Sequence, residues 1–249
     1  MPTERKPQLQ VRCRKDLNHR FVFLSASFPS IERAPEYYKT ADPDEISQAV
    51  VAVVRAVLAA NGRLVFGGHP TISPLVLMVA EEYLPSDMAE RRQLAETHKL
   101  PVVVYQSRVF ENHLPESTQR LFEWCLGELR WTPAADKAPQ FTSSSTLVSG
   151  SADASLAIMR KRMLDECRPT GAFFIAGMEG IEDEARACIE INPACHLFFF
   201  GAPGGAARKL AHGKLAQYGE PFAQFTQEIE ESRSYTGLTQ RLVQVLCDS

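Results

Sequence analysis

The stretch VFGGHPTISPLVL, residues 65–77, changes character after its second residue. Two apolar residues typical of a buried strand run directly into two glycines, a histidine and a proline, and an apolar helical pattern follows. An earlier stretch, FLSASFP at residues 23–29, changes in a similar way into serine and proline. Strands that lead directly into helices are typical of parallel sheets, so these stretches decide the fold. They are either ordinary strand-to-helix turns or turns shaped around a ligand.

The rest of the chain repeats this alternation of apolar strands and amphipathic helices. It predicts an α/β protein with a single doubly wound, Rossmann-like parallel sheet of five or more strands and helices on both faces. The predicted strands lie at residues 21–25, 63–66, 101–105, 172–176 and 196–200. Apolar residues at helical spacing predict helices over residues 116–129 and 204–218, among others.

Length and composition fit one large domain or two small ones, and the five predicted strands favour one doubly wound domain. The chain has 249 residues, of which 45% are hydrophobic, and we expect a basic N-terminal arm over residues 1–20 and one domain over residues 21–249. A net charge of −3 argues against a nucleic-acid or membrane-surface binder. No apolar run predicts a signal peptide or membrane span, and six cysteines without CxxC or zinc-type spacing predict reduced thiols. We expect a cytoplasmic protein without metal or cofactor.

Four turns follow the carboxyl ends of predicted strands, where doubly wound sheets bind their ligands. Glycines there allow backbone N–H groups to approach a ligand closely, and the following helix N-termini favour an anion. The same glycines also fit tight turns without a ligand, and none forms a dinucleotide fingerprint or a Walker A loop. The candidate nucleotide- and phosphate-binding residues are Ser25, Ser27, Gly67, Gly68, His69, Thr71, Gly177, Met178, Gly180, Gly204 and Gly205.

Two charged residues fall on the apolar faces of predicted helices. In SADASLAIMRKRMLDEC, Arg160 lies within the apolar arc, whereas Lys161 and Arg162 lie outside it. In GMEGIEDEARACIEI, Glu184 lies among inward-facing apolar residues. A buried guanidinium needs an anionic partner, either a structural carboxylate or a phosphate. Arg160 and Glu184 flank one strand and are candidates for a buried pair, a catalytic pair or both; Glu179 is a second candidate acid.

The order of these motifs resembles two related families. Arg160 and Lys161, followed by a strand and a glycine turn with Glu184, resemble the LOG family of lysine-decarboxylase-like cytokinin phosphoribohydrolases and its GGxGTxxE loop. Met178 stands in place of a glycine of that loop and Ile181 in place of its threonine, which favours binding over glycosidic cleavage. GGHPTISPLV, GMEG and GGAA more closely resemble the SLOG superfamily of bacterial nucleotide-signalling and anti-phage systems, over roughly residues 20–218.

The SLOG resemblance implies a module that senses a nucleotide or an NAD-derived signal of the ADP-ribose type in bacterial defence or signalling. It also implies a homo-oligomer and a separate effector protein, whereas the charge balance argues against a nucleic-acid or membrane partner. The LOG resemblance implies the alternative, a nucleotide N-glycosidase (a phosphoribohydrolase). In that case Arg160 holds the 5′-phosphate, and Glu184 or Glu179 stabilises the oxocarbenium charge or activates water. Whether the chain is an enzyme stays open at this point.

Overall fold

The computed structural model describes residues 16–135, 140–141, 147–149, 152–213 and 218–248. The described elements, in chain order, are β1 (Phe21–Ser27), α1 (Pro35–Tyr38), α2 (Pro43–Ala59), β2 (Arg63–Gly67), α3 (Ile72–Glu81), α4 (Met88–Glu96), β3 (Val102–Ser107), α5 (Glu116–Glu123), β4 (Glu128–Thr132), β5 (Gln140–Phe141), β6 (Leu147–Ser149), α6 (Asp153–Cys167), β7 (Gly171–Ala176), α7 (Gly180–Ile191), β8 (His196–Phe200), α8 (Gly205–Ala211), α9 (Thr226–Glu231) and α10 (Tyr235–Asp248). Short 3₁₀ helices cover Arg108–His113 and Ala223–Phe225. β5 and β6 form a separate antiparallel pair.

Six strands form one parallel sheet in the order β4-β3-β2-β1-β7-β8, which confirms the predicted Rossmann-like α/β fold. The chain adds β2, β3 and β4 on one side of β1, then returns to add β7 and β8 on the other side. Because crossovers between parallel strands are right-handed, this reversal places the connecting helices on opposite faces. α2, α3 and α10 pack on one face, and α6, α7 and α8 pack on the other.

Helices α2 and α10 show how the sequence builds the first face. The side chain of Asp42 accepts hydrogen bonds from the backbone N–H groups of Asp44 and Glu45, so it caps α2. Leu238 and Leu242 of α10 are fully buried in the core cluster that includes α2. Burial of one such leucine contributes about 1.5–3 kcal/mol. The apolar residues of the last helix therefore belong to the core.

Two predicted helices end earlier than their sequence pattern suggests. The helix predicted over residues 116–129 ends at Glu123, because Cys125 takes a φ of +54°. Residues Glu128–Thr132 instead form β4, which pairs with β3 at the edge of the sheet. The helix predicted over residues 204–218 ends at Ala211, and residues 214–217 lie outside the described part of the chain.

Of the predicted N-terminal arm (residues 1–20), residues 1–15 lie outside the described part of the chain. Within its described end, Leu17 is fully buried, and its N–H donates to the carbonyl of Ala60 at 2.7 Å. Arg20 donates to the carbonyl of Leu246 at 2.8 Å. Residues 17 and 20 therefore attach the start of β1 to the core.

The carboxyl ends of β1 and β7 lie side by side where the strand order reverses. Ser25 is in register with Phe174, and Ser27 is in register with Ala176. This position is the topological switch point of the sheet, at which doubly wound folds open a crevice for ligands. The fold thus brings together the predicted turn after β1 and the predicted turn after β7.

Candidate functional site

A carboxylate on α7 connects three elements at the switch point. Nε of Arg160 on α6 donates to Oε1 of Glu184 at 3.0 Å, and the hydroxyl of Ser25 on β1 donates to Oε2. The side chains of Arg160 and Glu184 are 17% and 16% exposed. The structure therefore pairs the two inward-facing charged residues that the sequence singled out. It also adds Ser25 to the pair, which the sequence placed only in a neighbouring turn.

The pleat of β1 explains why serine reaches this carboxylate. Alternate residues of a strand face the same side of the sheet. Phe23 packs in the cluster formed with α6 and α7, so Ser25 and Ser27 face the same helices. The hydroxyl of Ser27 lies close to the turn after β7, 3.3 Å from where a Cβ on Gly177 would stand. Two hydroxyl groups therefore line the β1 side of the crevice.

The guanidinium of Arg160 lies against the first turn of α7. A Cβ placed on Gly180 would stand 2.8 Å from Nη2 of Arg160. Nη1 is 3.9 Å from Oδ2 of Asp183, which is beyond hydrogen-bonding distance. Within the described residues, neither Nη group makes a hydrogen bond. The pair with Glu184 therefore uses only the Nε edge of the guanidinium.

The N-terminus of α7 adds further donors beside this guanidinium. Within the described part of the chain, the backbone N–H groups of Met178, Glu179 and Gly180 find no acceptor. No side chain caps the helix, and the side chain of Glu179 is exposed. A helix N-terminus carries a partial positive charge, and with an arginine beside it the arrangement is suited to a phosphate.

Packing explains two residues of the turn between β7 and α7. Gly177 has a φ of +71°, and a Cβ there would stand 2.1 Å from Cδ1 of Ile181. Ile181 is buried directly beneath the turn, where the LOG pattern has threonine. The replacement therefore fills the turn with an apolar side chain in place of a hydroxyl group.

The Gly67–Thr71 turn is held mostly by internal hydrogen bonds. The N–H of Gly68 donates to the carbonyl of Tyr105 at 2.7 Å, and the N–H of His69 donates to the hydroxyl of Ser73 at 3.1 Å. Gly67 packs against Met159 of α6, since a Cβ would stand 2.9 Å from its terminal methyl carbon. Gly67 and Gly68 therefore lie against the flexible ends of the Met159 and Gln106 side chains, so close packing favours glycine at both positions without requiring it.

His69 is fixed as a neutral donor in this turn. The N–H of Thr71 donates to Nδ1 of His69 at 3.4 Å, and the hydroxyl of Thr71 lies 2.9 Å from the same nitrogen. Burial, together with the nearby positive charge of Arg33, lowers the pKa of His69 to about 4. The ring therefore accepts at Nδ1 and carries its proton on Nε2 at neutral pH.

Arg33 is a residue of this region that the sequence did not single out. It lies in the connection after β1, its side chain is exposed, and among the described residues it has no ion-pair partner. Its positive charge contributes to the lowered pKa of His69. An unpaired arginine in a polar loop gives no periodic signal, so only the folded chain identifies it.

The glycines after β8 are explained by contacts within the chain. A Cβ on Gly204 would stand 1.9 Å from the carbonyl oxygen of Thr40. The N–H of Gly205 donates to the hydroxyl of Thr40 at 3.1 Å, and the N–H of Ala206 donates to the carbonyl of Gly177 at 3.0 Å. The backbone N–H groups predicted to bind phosphate at this turn thus already donate to groups of the chain itself. The candidate crevice lies nearer to α6 and α7.

Other surfaces of the described chain offer no comparable cluster. A groove of about 980 Å³ lies on the opposite face of the sheet, lined by α2, the end of α3 and the start of α10, and it includes Arg55, Tyr83 and Tyr235. Among the described residues, no group of histidine, cysteine or carboxylate side chains could hold a metal ion. None of the helices that the structure describes is both long and apolar enough to span a membrane.

The six-stranded parallel sheet defines a Rossmann-like α/β protein, and its candidate site lies at the switch point between α6 and α7. Residues 36–235 match the family described as SLOG cluster3, and the chain belongs to this family. This confirms the predicted SLOG resemblance and supports a nucleotide-related module. The match includes Arg160 and Glu184 but begins after Ser25 and Ser27. A comparison with curated proteins gives no match.

Proposed function

We propose that the chain binds a nucleotide or an NAD-derived ligand of the ADP-ribose type at the switch point and acts as a sensor in bacterial defence or signalling. One observation carries the proposal: the two Nη groups of Arg160 and the open N-terminus of α7 converge beside Gly180. These groups supply positive charge and, among the described residues, donors without an acceptor in a half-buried position. A phosphate is the ligand group that such an arrangement favours.

The polar groups around this phosphate site suit a ribose. The hydroxyl of Ser27 faces the crevice, and Glu184 is held in place by Ser25 and Arg160. An ionised carboxylate has about four acceptor positions, so its two existing hydrogen bonds leave room for ribose hydroxyl groups. The ligand in this proposal therefore has its phosphate on the α7 side and its sugar toward β1.

A second phosphate group fits the other side of the crevice. Arg33 is exposed and, within the described residues, unpaired, and Nε2 of His69 carries a proton at neutral pH. Both groups suit an anion, and the neutral histidine contributes a hydrogen bond without a charge. This pair is the reason for proposing a pyrophosphate ligand such as ADP-ribose rather than a mononucleotide.

The alternative is a nucleotide N-glycosidase that uses the same phosphate site. It is favoured by the fixed position of Glu184, because a carboxylate held by two donors is suited to stabilise an oxocarbenium ion or to orient a water molecule. The buried Ile181 opposes it, because the threonine hydroxyl of the LOG pattern is absent from the turn. Binding without cleavage is therefore the preferred function. Homo-oligomer formation and a separate effector protein belong to the same proposal.

Incubation with AMP, NAD, ADP-ribose and cyclic ADP-ribose tests both functions in one experiment. Thermal unfolding reports binding, and chromatography of the same samples reports released base. A bound ligand at a hundredfold excess over its dissociation constant stabilises the protein by about 2.7 kcal/mol. A rise in melting temperature with intact ligand supports the sensor. Released base that disappears in Glu184→Gln supports the glycosidase, and no response to any of the four would overturn both.

A further inference from the structure

A second carboxylate lies beside the guanidinium of Arg160. Nε of Arg160 pairs with Glu184, and its Nη1 is 3.9 Å from Oδ2 of Asp183. Asp183 follows Gly180 by three residues, so both lie on one face of α7. Nη2 of Arg160 lies against Gly180 on that face. The side chain of Asp183 is 62% exposed, so this carboxylate faces solvent beside the groups proposed to hold a phosphate.

The charge of Asp183 is only weakly compensated. Nη1 of Arg186 is 4.0 Å from Oδ1 of Asp183, whereas Nη2 of the same arginine pairs closely with Glu182. The side chains of Arg186 and Asp183 are 59% and 62% exposed, and an ion pair in such a position is screened by water. A ligand that binds at Arg160 therefore meets the negative charge of Asp183.

The residue before α7 adds another negative charge near the same place. Glu179 immediately precedes Gly180, its side chain is exposed, and it makes no capping hydrogen bond to the helix. The partial positive charge of a helix N-terminus favours an anion. Here that charge and the guanidinium of Arg160 are opposed by the carboxylates of Glu179 and Asp183. The arrangement thus suits an anion of low charge.

Phosphate groups differ in charge according to how they are substituted. A terminal phosphate monoester carries about −1.5 to −2 charges at neutral pH, because its second proton has a pKa of about 6. A phosphodiester, or each phosphate of the pyrophosphate in ADP-ribose, lacks this second proton and carries one negative charge. Two unit charges about 4 Å apart in water repel each other enough to weaken binding about fivefold.

We propose that the α7 side of the candidate site selects phosphates with a single negative charge over terminal phosphate monoesters, and that Asp183 determines this preference. Phosphodiesters and the pyrophosphate of ADP-ribose belong to the selected class, whereas AMP does not. The inference rests on the proposed function, because it names the class of phosphate that the same site takes. A glycosidase acting on a 5′-mononucleotide is correspondingly disfavoured.

AMP and adenosine 5′-methylphosphate are a matched pair of ligands for this test, since the methyl ester removes one charge and adds one small group. Calorimetry with the full chain at about pH 7.5, where AMP carries nearly two charges, gives both dissociation constants. The methyl ester is expected to bind about fivefold more tightly than AMP. ADP-ribose, measured in the same series, reports whether the site binds its proposed ligand.

Three variants assign the preference to one residue. Asp183→Asn removes the charge from an exposed side chain and is expected to bring the ratio of the two dissociation constants close to one, whereas Asp183→Glu keeps the preference. Glu190→Gln removes the same charge from an exposed residue in the last turn of α7 and leaves the ratio unchanged, because salt screens charges at this separation.

Two results would overturn the inference. A methyl ester that binds no more tightly than AMP excludes the preference, and an equal change of both affinities in Asp183→Asn excludes Asp183 as its cause. If ADP-ribose binds while either result is found, the inference fails and the proposed function stands. If the protein binds none of the three ligands, the proposed function fails together with the inference.

Discussion

Nε of Arg160 donates to Oε1 of Glu184 at 3.0 Å, and this contact turns the remaining edge of the guanidinium toward Gly180. The pair therefore neutralises a half-buried charge and at the same time holds the two Nη groups, which make no hydrogen bond within the described residues, at the N-terminus of α7. A structural ion pair and a phosphate site were alternative interpretations of the sequence. The geometry allows both, because Nε of Arg160 pairs with Glu184 while its Nη groups face Gly180.

Gly180→Ala separates ligand binding from folding. The new methyl group would stand 2.8 Å from Nη2 of Arg160, which lies at the end of a flexible side chain and moves aside. Alanine favours a helix over glycine, so the free energy of unfolding stays within about 1 kcal/mol of the unchanged protein. The dissociation constant for ADP-ribose, measured by calorimetry, is expected to rise about tenfold or more. Gly219→Ala, where a Cβ meets nothing within 4 Å, is the matched control and changes neither quantity.

Glu184→Ala is expected to destabilise the protein. It leaves the guanidinium of Arg160 half-buried without its carboxylate, and a loss of about 1–3 kcal/mol in the free energy of unfolding follows. Urea denaturation measures the change. Glu190→Ala on the exposed side of the same helix is the control and stays within about 0.5 kcal/mol. Equal effects of the two substitutions would contradict a stabilising pair.

His69→Gln is expected to reduce the acid sensitivity of the fold. The folded-state pKa of about 4 lies below the usual histidine value of 6.5, so the unfolded chain binds the additional proton. Stability is therefore fully present above about pH 6.5 and falls as the pH drops toward 4, by about 1–3 kcal/mol. Urea denaturation at several pH values measures the slope. Burial also lowers the pKa of His196, so part of the slope remains in the variant, whereas an unchanged slope would contradict the buried neutral ring.

Arg33→Ala tests the second phosphate group. We expect the affinity for ADP-ribose to fall about tenfold and the affinity for AMP to change little, because only the pyrophosphate reaches the Arg33 side of the crevice. The exposed position predicts no loss of stability. Arg92→Ala on α4, also exposed, is the matched control. A similar loss for both ligands would instead place Arg33 beside the single phosphate.

The sequence predicted the parts of the fold that depend on local periodicity. Continuous apolar strands and amphipathic helices identified the sheet and both faces. β4 was missed because Leu129 continues the helical spacing of Leu121 and Phe122. Glu128 of β4 pairs with Arg63 of β2, which lies two strands away in the sheet. Such pairs depend on strand order, which periodicity does not contain.

The sequence likewise predicted only part of the candidate site. Arg160 and Glu184 were found because a charge on an apolar helical face is visible in one helix alone. Contacts between distant segments were not visible, such as those of Ser25 with Glu184 and of Thr40 with Gly204 and Gly205. The glycines after β8 resembled those of a phosphate-binding loop. Close packing against another segment of the chain favours glycine for the same reason as close approach to a phosphate.

A crystal structure of the chain grown with ADP-ribose shows directly where the ligand binds. We expect a phosphate within hydrogen-bonding distance of the Nη groups of Arg160 and of the N–H groups that begin α7, with the ribose beside Ser27 and Glu184. ADP-ribose bound instead in the groove beside Arg55 and Tyr83, or with its phosphates at Gly204 and Gly205, would contradict it.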